Sequence, residues 1–587
     1  MPICRQGSRN TLAAPCSLGR RRFMQSSALA GVAMALGLPV VSARAAGSGQ
    51  TVAIIGGGIA GLTAAHELAE RGFRVSVYEQ CAWGGKARNI SADTDTDGRL
   101  GLPDGHGFRF FSGVYNNLPD TLQRISSGNN VWVNMLQPTQ TMLTASGQDA
   151  YFNSGGIPFP GSVGELPTAI HSWLQDAFFA LDIPAEELAF FVSKFHVFMT
   201  SSEARRLRQW DDMSWWDYVG AATRSASYQQ LIGRAPMTEA ARSKEASARS
   251  VGQALEALFY ADAGQGYRHT GSTVFDLSAN EGWIETWCKY LADLGVSLKL
   301  AVQATQFQYA NGRVTGVLAH AEGHLRIIQA DWYVLAVPSE KVAALIPVAM
   351  QEADRQFANI AQQLVHHRTG GAQFFPTHAA QINHGHFACL HSPWAVTGMS
   401  QAPLRRPNDA DGGGTVQDVL SLNVSDWTTP GVLYSLPAHQ CTREQIAQEL
   451  LAQLRRDLPN GHSVLPDSAI HSWIIENHPH SLFTNTVGSW SFRPETTTAI
   501  SNFFLAGDYV RATGTAFASV EAANESGRRA ANAIVAASGS SAAPATIHPR
   551  YTSPLLTPTL MADAVQFAAG RPNRFDLLDP YYPNCHV

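Results

Sequence analysis

The chain has 587 residues, 45% of them hydrophobic and 15% charged, with 50 glycines and 30 prolines. That length exceeds what one hydrophobic core supports, and the apolar content excludes a disordered chain, so two or more domains are expected. A mean hydropathy of -0.10 excludes a polytopic membrane protein, and a formal charge of -5 gives no support to nucleic-acid binding.

Residues 1–45 contain six arginines (Arg5, Arg9, Arg20, Arg21, Arg22, Arg44) and no lysine or carboxylate. Without them the chain carries 36 basic against 47 acidic groups, a formal -11. Arg20-Arg21-Arg22-Phe23-Met24 precedes the apolar stretch Ala28–Val41, which ends at the small-residue exit Ala43-Arg44-Ala45. This order describes an export peptide cleaved near Ala45 or Ala46. About 14 apolar residues fall short of the roughly 20 that a spanning anchor needs. The paired arginines resemble a twin-arginine signal, which implies a periplasmic or other extracytoplasmic address and a cofactor loaded before export. Of seven cysteines, Cys4 and Cys16 lie in this leader. The other five (Cys81, Cys288, Cys389, Cys441, Cys585) form no C-x-x-C pair, so neither a zinc site nor a disulfide framework is expected.

Next comes the β-prone run Thr51–Ile55, then Gly56-Gly57-Gly58-Ile59-Ala60-Gly61, a helical stretch Leu62–Arg71 ended by Gly72, and a second strand Arg74–Tyr78 closing at Glu79. These five features in this order predict a βαβ dinucleotide-binding unit. Gly56 allows the sharp turn, Gly58 the approach of a pyrophosphate, and Gly61 close helix–strand packing. The helix N-terminus presents free N–H groups to phosphate, and Glu79 stands where a carboxylate accepts from ribose hydroxyls.

Gly84-Gly85-Lys86-Ala87-Arg88 resembles the second dinucleotide motif of the FAD amine-oxidase and carotenoid-desaturase superfamily, with Lys86 where arginine is usual. Asn502–Asp508, an apolar strand ending in Gly507-Asp508, followed by the helical stretch Ala516–Val535, resembles that superfamily's C-terminal flavin motif. By this resemblance Asp508 meets the ribityl–phosphate region. The start of the helix, with Ser519 and Val520, faces the pyrimidine edge of the isoalloxazine, where a helix N-terminus favours the negative charge of a reduced flavin. Between these motifs the pattern predicts a helix over 280–294, strands over 296–301, 302–307 and 314–319 with a hairpin turn at Asn311-Gly312, and a buried strand over 331–338. The resemblance assigns the Val302 backbone to the adenine.

His106–Pro119, with the pattern Gly-x-x-Phe-Phe-x-Gly-x-Tyr-x-Asn, resembles the flavin-proximal motif of plant-type phytoene and zeta-carotene desaturases and of hydroxysqualene dehydroxylases. His391-Ser392-Pro393-Trp394 and Trp490 fit the same subgroup. The likeness covers most of 51–535 and is loose over 120–275. It implies an α/β fold: a discontinuous Rossmann-like FAD-binding domain (48–115, 278–340, 480–540) with an inserted α+β substrate domain (116–277, 341–479) and a tail, 541–587. It places Gly107 and Phe108 at the cofactor, and His106 and Arg109 beside the isoalloxazine as candidate catalytic groups. Amine oxidases of the superfamily place a cage aromatic two positions before the glutamate of the last helix. Here Glu521 is that glutamate and Ser519 the cage position, which argues against an amine. With no covalent attachment sequence near the C-terminus, non-covalent FAD is expected.

The aromatics over 165–220 read either as helix packing above the flavin or as a tunnel or membrane-facing mouth for a lipid. Arg205, Arg206 and Arg208 read as a solvated helix face, with anionic head groups as the alternative. The histidines at 366, 367, 384, 386 and 391 read as loop or surface residues rather than metal ligands. Residues 408–415 read as a loop and the tail as wrapping or dangling. Three activities fit: an FAD oxidoreductase desaturating or dehydrogenating a hydrophobic isoprenoid or other lipid, with quinone or O2 as acceptor and peripheral membrane contact; an exported amine or amino-acid oxidase; and a flavin-dependent double-bond isomerase.

Overall fold

The computed structural model describes residues 40–42, 49–88, 110–127, 129–136, 140–152, 157–234, 244–265, 273–275, 277–404, 416–475, 480–513 and 518–576. At its centre lies a five-stranded parallel sheet in the order Ser297–Lys299, Arg74–Tyr78, Thr51–Ile55, Trp332–Leu335, Phe503–Leu505. The strand Thr51–Ile55 is buried throughout, because a parallel sheet is covered on both faces. The strand period of two divides its side chains: Val52, Ile54, Val334 and Phe504 enter one core, while Ala53, Ile55, Leu335 and Leu505 enter another.

The first core is closed by the helices Ile59–Glu70, Leu277–Asp293 and Val520–Ala537. The second lies under the antiparallel strands Val302–Ala310, Arg313–Ala321 and His324–Gln329 and the short helices Ser339–Leu345 and Gln356–Gln363. Asn311 and Gly312 both take positive φ, +50° and +75°, the turn geometry that matches strand twist.

The helix Asn117–Arg124 corrects one expected edge. Leu118, Leu122 and Ile125 pack in the core of the parallel-sheet domain, so the chain leaves that domain after Val131 rather than at 115. At the other border, His480–Thr484 pairs with Val365–Pro376 of the inserted domain. Val40–Ser42, inside the segment read as the leader, adds a parallel edge strand beside His324–Gln329.

The inserted part has two layers. An eight-stranded mixed sheet, from Gln140–Phe152 and from 365–484, packs on the helix Arg443–Asp457. The helices Leu166–Ala180, Ala185–Met199 and Ala248–Asp262 form the second layer. There Trp173, Phe178, Phe190, Phe191, Phe195, Phe198, Trp210, Trp215 and Tyr218 are buried in one cluster, so this aromatic stretch is core. Arg205 and Arg206 are not a solvated face: each is buried in an ion pair, with Asp563 and Glu256 respectively, and Arg208 alone of the three is exposed. Of the two readings of the tail, its described part, 538–576, wraps. It runs past the helix Val520–Ala537, where the Thr546 carbonyl accepts from Arg528, and forms the helix Thr557–Ala568 against the helical layer. Among the described residues no helix is long and apolar enough to cross a membrane.

Candidate functional site

The carboxyl ends of the strands Thr51–Ile55, Trp332–Leu335 and Phe503–Leu505 stand side by side, in register at Ile55, Leu335 and Leu505. Gly56 follows the first and Gly507-Asp508 the last, so the two halves of the expected site emerge on one edge, two strand spacings or about 10 Å apart. This edge is where open α/β sheets bind ligands.

At the first strand, Gly56 turns with φ +111°, and a Cβ there would strike the Ala336 carbonyl. A Cβ on Gly61 would land on the Gly56 carbonyl, while one on Gly58 would meet only Gly85 Cα, at 3.7 Å. Gly56 and Gly61 are thus demanded by the protein's own packing, whereas Gly58 keeps room that the fold does not need. The helix Ile59–Glu70 begins at Gly58 with no side-chain cap and no acidic residue in its first turn, yet Ile59 and Ala60 are buried. A buried helix start without partners for its N–H groups calls for an anion.

The two glycine motifs meet. Gly84 N–H donates to the Gly57 carbonyl (2.8 Å), and Gly58 bridges Gly84 in parallel. Glu79 accepts from Gly57 N–H at 2.7 Å and from Cys81 N–H at 2.8 Å, which holds its carboxylate at the turn. Val302 arrives beside it by donating its N–H to the Glu79 carbonyl (2.9 Å), so that N–H is engaged within the fold. Lys86 turns to the Ser481 carbonyl (2.6 Å) and Glu340 (3.4 Å), and Arg88 donates to the Gly85 carbonyl (2.8 Å).

At the far strand, Gly507 N–H donates to Ser526 Oγ (2.8 Å). The Asp508 carboxylate has no hydrogen-bond partner among the described residues, although its backbone is tightly held. Arg493 grips three successive carbonyls, those of Asp508 (2.8 Å), Tyr509 (3.0 Å) and Val510 (2.6 Å). Burial pushes the Arg493 guanidinium down to about 9. The Tyr509 hydroxyl is buried without a partner. His366, against Ser339 Oγ (2.7 Å) and near Glu340, is pulled below the ordinary histidine value by burial.

The last helix starts at Ser519, whose Oγ accepts from Ala522 N–H (3.1 Å), with Val520 as its first residue. It crosses the glycine-loop helix closely: a Cβ on Gly527 would meet the Ala60 carbonyl at 2.5 Å. Asn524 donates to Thr63 Oγ1 (2.8 Å). Glu521 is fully buried and accepts from the N–H groups of Asn116 (2.9 Å), Asn117 (2.7 Å) and Leu118 (2.8 Å) and from Asn117 Nδ2 (2.9 Å). Burial raises its carboxyl while those four donors pull it down.

His106, Gly107, Phe108 and Arg109 lie outside the described residues. The His391–Trp394 stretch is structural: Ser392 donates to Gln453 Oε1 (2.6 Å) and Trp394 is buried among the inserted sheet's core residues. Trp490 is ringed by the guanidinium groups of Arg249, Arg493 and Arg511 at 4.0, 5.0 and 5.9 Å. Among the described residues no group of three histidine, cysteine, aspartate or glutamate side chains is placed to hold a metal ion. Sequence reasoning missed the Glu521 clasp and the Arg493 grip. Each is a charge whose partners are mostly backbone groups, and backbone groups leave no signature in a sequence.

A buried uncapped helix start, a second glycine strand laid on the first, a carboxylate held at the turn and an aspartate without a side-chain partner among the described residues suit a long dinucleotide with an anionic centre. Such a site defines a dinucleotide-dependent oxidoreductase. The model of the family described as flavin containing amine oxidoreductase matches residues 59–535, and the chain belongs to that family. It is an FAD-dependent oxidoreductase, similar to carotenoid desaturases. A probable zeta-carotene desaturase of Synechococcus elongatus is 24% identical over 540 residues, spanning 83% of this chain and 98% of that protein. A carotenoid phi-ring synthase of Streptomyces griseus is 41% identical over 88 residues; the match spans 15% of this chain and 17% of that protein's length. A putrescine oxidase solved with putrescine bound shares the fold at a TM-score of 0.55 and 14% identity, over 85% of this chain and 100% of that one.

Proposed function

We propose that this oxidoreductase removes hydrogen from a hydrophobic, isoprenoid or lipid-like substrate. The observation that carries the reading is the likeness to a probable zeta-carotene desaturase, spanning 83% of this chain and 98% of that relative's length. Ser519 at the cage position supports it, since a hydroxymethyl group offers no flat face to hold a neutral amine. Held non-covalently, in this reading, FAD would supply the hydride acceptor for the reaction. The protein's share is to orient an allylic carbon, exclude water and take the accompanying proton. His106 and Arg109, whose segment resembles a flavin-proximal motif, are the proposed catalytic groups. The proposed terminal electron acceptor is a quinone or O2. The twin-arginine leader is proposed to deliver the loaded protein to the periplasm.

The amine or amino-acid oxidase reading draws on the family description and the putrescine oxidase fold, and the isomerase reading on the same cofactor. One experiment separates them. Purified yellow protein is mixed anaerobically with candidate polyenes and amines while the flavin absorbance is followed. Bleaching with a product two hydrogens lighter supports desaturation. Ammonia and peroxide on admitting air overturn it in favour of the amine reading, and an isobaric product overturns it in favour of isomerisation. For export, Arg20→Lys with Arg21→Lys is expected to retain the protein in the cytoplasm, read by fractionation.

A further inference from the structure

The helix Thr557–Ala568 is packed with its polar side inward. Its one charged residue, Asp563, is buried and accepts from Ser202 N–H (2.7 Å) and Arg205 Nε (3.0 Å). Thr559 is buried beside it, and Leu556 and Leu560 supply the apolar contact. The opposite face carries Met561 and Val565, which are 68% and 72% exposed, the two most exposed large apolar side chains among the described residues. They stand four positions apart and therefore adjoin on one helix face. Exposed Ala562, Ala568 and Ala569 extend this face, and no charged residue of the helix interrupts it. A surface helix ordinarily does the reverse, turning its apolar stripe to the core.

Exposed cations follow the helix in the chain and continue from the segment it is fastened to. Arg571 follows the helix, its N–H bonded to the Gln566 carbonyl (2.9 Å), and is exposed; so is Arg574 three residues on. Arg208 is exposed on the turn that continues from Arg205, the residue to which the helix is fastened. These charges stand out on a chain whose formal total is -5. Exposed apolar side chains with exposed arginines close by in the chain match an anionic lipid surface, where methyl groups enter the acyl boundary and guanidinium groups meet phosphate. A second copy of the chain fits less well, because a symmetric contact would set these arginines against themselves.

We propose that the outward face of Thr557–Ala568, with Arg571 and Arg574, docks the protein on an anionic lipid surface. The proposal needs no statement about substrate and stands or falls apart from the functional reading above. Its test uses the full chain with vesicles of phosphatidylcholine, with or without phosphatidylglycerol. The readout is amide hydrogen exchange over 557–574, which reports on this face and not on the basic N-terminal segment. Exchange there is expected to slow on phosphatidylglycerol vesicles and not on pure phosphatidylcholine. Arg571→Ala with Arg574→Ala is expected to raise the lipid concentration needed for half the effect about thirtyfold. Met561→Ser with Val565→Ser is expected to raise it at least about tenfold. Leu433→Ser, at an exposed apolar site on another loop, is expected to leave it unchanged. Unchanged exchange over 557–574 on either vesicle, equal protection in both double variants, or loss of a self-association in place of lipid protection would overturn the proposal.

Discussion

Single residues divide into those the fold needs and those that we propose the cofactor needs, and the proposal puts Gly58 and Asp508 in the second group. A methyl on Gly61 would land on the Gly56 carbonyl, while one on Gly58 meets ordinary packing. Gly61→Ala is therefore expected to lower stability by roughly 2 kcal/mol or more, seen as a fall in Tm. Gly58→Ala is expected to leave Tm of the flavin-free protein within about 1 kcal/mol of the wild type and yet to weaken FAD binding at least about tenfold, measured by flavin titration. Asp508 belongs to the second class. Its carboxylate holds nothing in the protein among the described residues, and Arg493 fixes the backbone beneath it. Asp508→Ala should then lose flavin without losing fold, and circular dichroism beside the flavin-to-protein absorbance ratio checks both halves of that outcome.

Three helices from distant parts of the chain are held together by buried polar groups rather than by apolar contact alone. Arg528, on the last helix, donates to the Asn117 carbonyl and to Asp120, both at 2.7 Å, and to Asn524 Oδ1 at 3.0 Å. Arg124, on the helix Asn117–Arg124, pairs with Glu67 of the glycine-loop helix. Glu521 completes the bundle by satisfying the opening N–H groups of that middle helix, a cap delivered by another element. Removing it takes the carboxylate acceptor from three buried backbone donors and from the Asn117 amide, which keeps only the His548 carbonyl. Glu521→Ala is expected to cost about 3 kcal/mol or more, by denaturant unfolding. Because the same helix starts at Ser519, flavin release is expected to accompany the loss.

Across the whole molecule the C-terminal segment works as a strap between domains. It leaves the last helix of the parallel-sheet domain, meets Asn117 through the His548 backbone (2.8 Å), and ends in the helical layer at the Arg205–Asp563 pair. Asp563→Ala would leave Arg205 buried without its carboxylate and is expected to cost about 3–5 kcal/mol, read as a lower Tm. The helical layer and the inserted sheet also set the response to acid. Burial pushes His196 and His386 down to about 4, against about 6.5 in an unfolded chain. Between those values the unfolded chain takes up protons that the folded chain refuses, so stability falls as pH drops through this window. By pH 4 the loss approaches roughly 3 kcal/mol per histidine. Thermal unfolding across that range checks it, with His196→Phe expected to flatten the curve.

The βαβ unit around Gly56 and the strand before Gly507 were legible in the sequence. Glycine spacing, a period-two apolar run and a Gly-Asp after a strand are local chemical facts, and each is tied to its place by backbone geometry that no distant residue can change. The hairpin turn at Asn311-Gly312 was legible for the same reason. Only the tertiary structure decided the rest. That Arg205 and Arg206 are buried, that the tail carries a helix turned apolar side out, and that Glu521 caps a helix four hundred positions away depend on partners far along the chain. Charged side chains and backbone N–H groups find such partners only once the layers close, because burial and pairing are properties of the packed interior and have no sequence period to betray them.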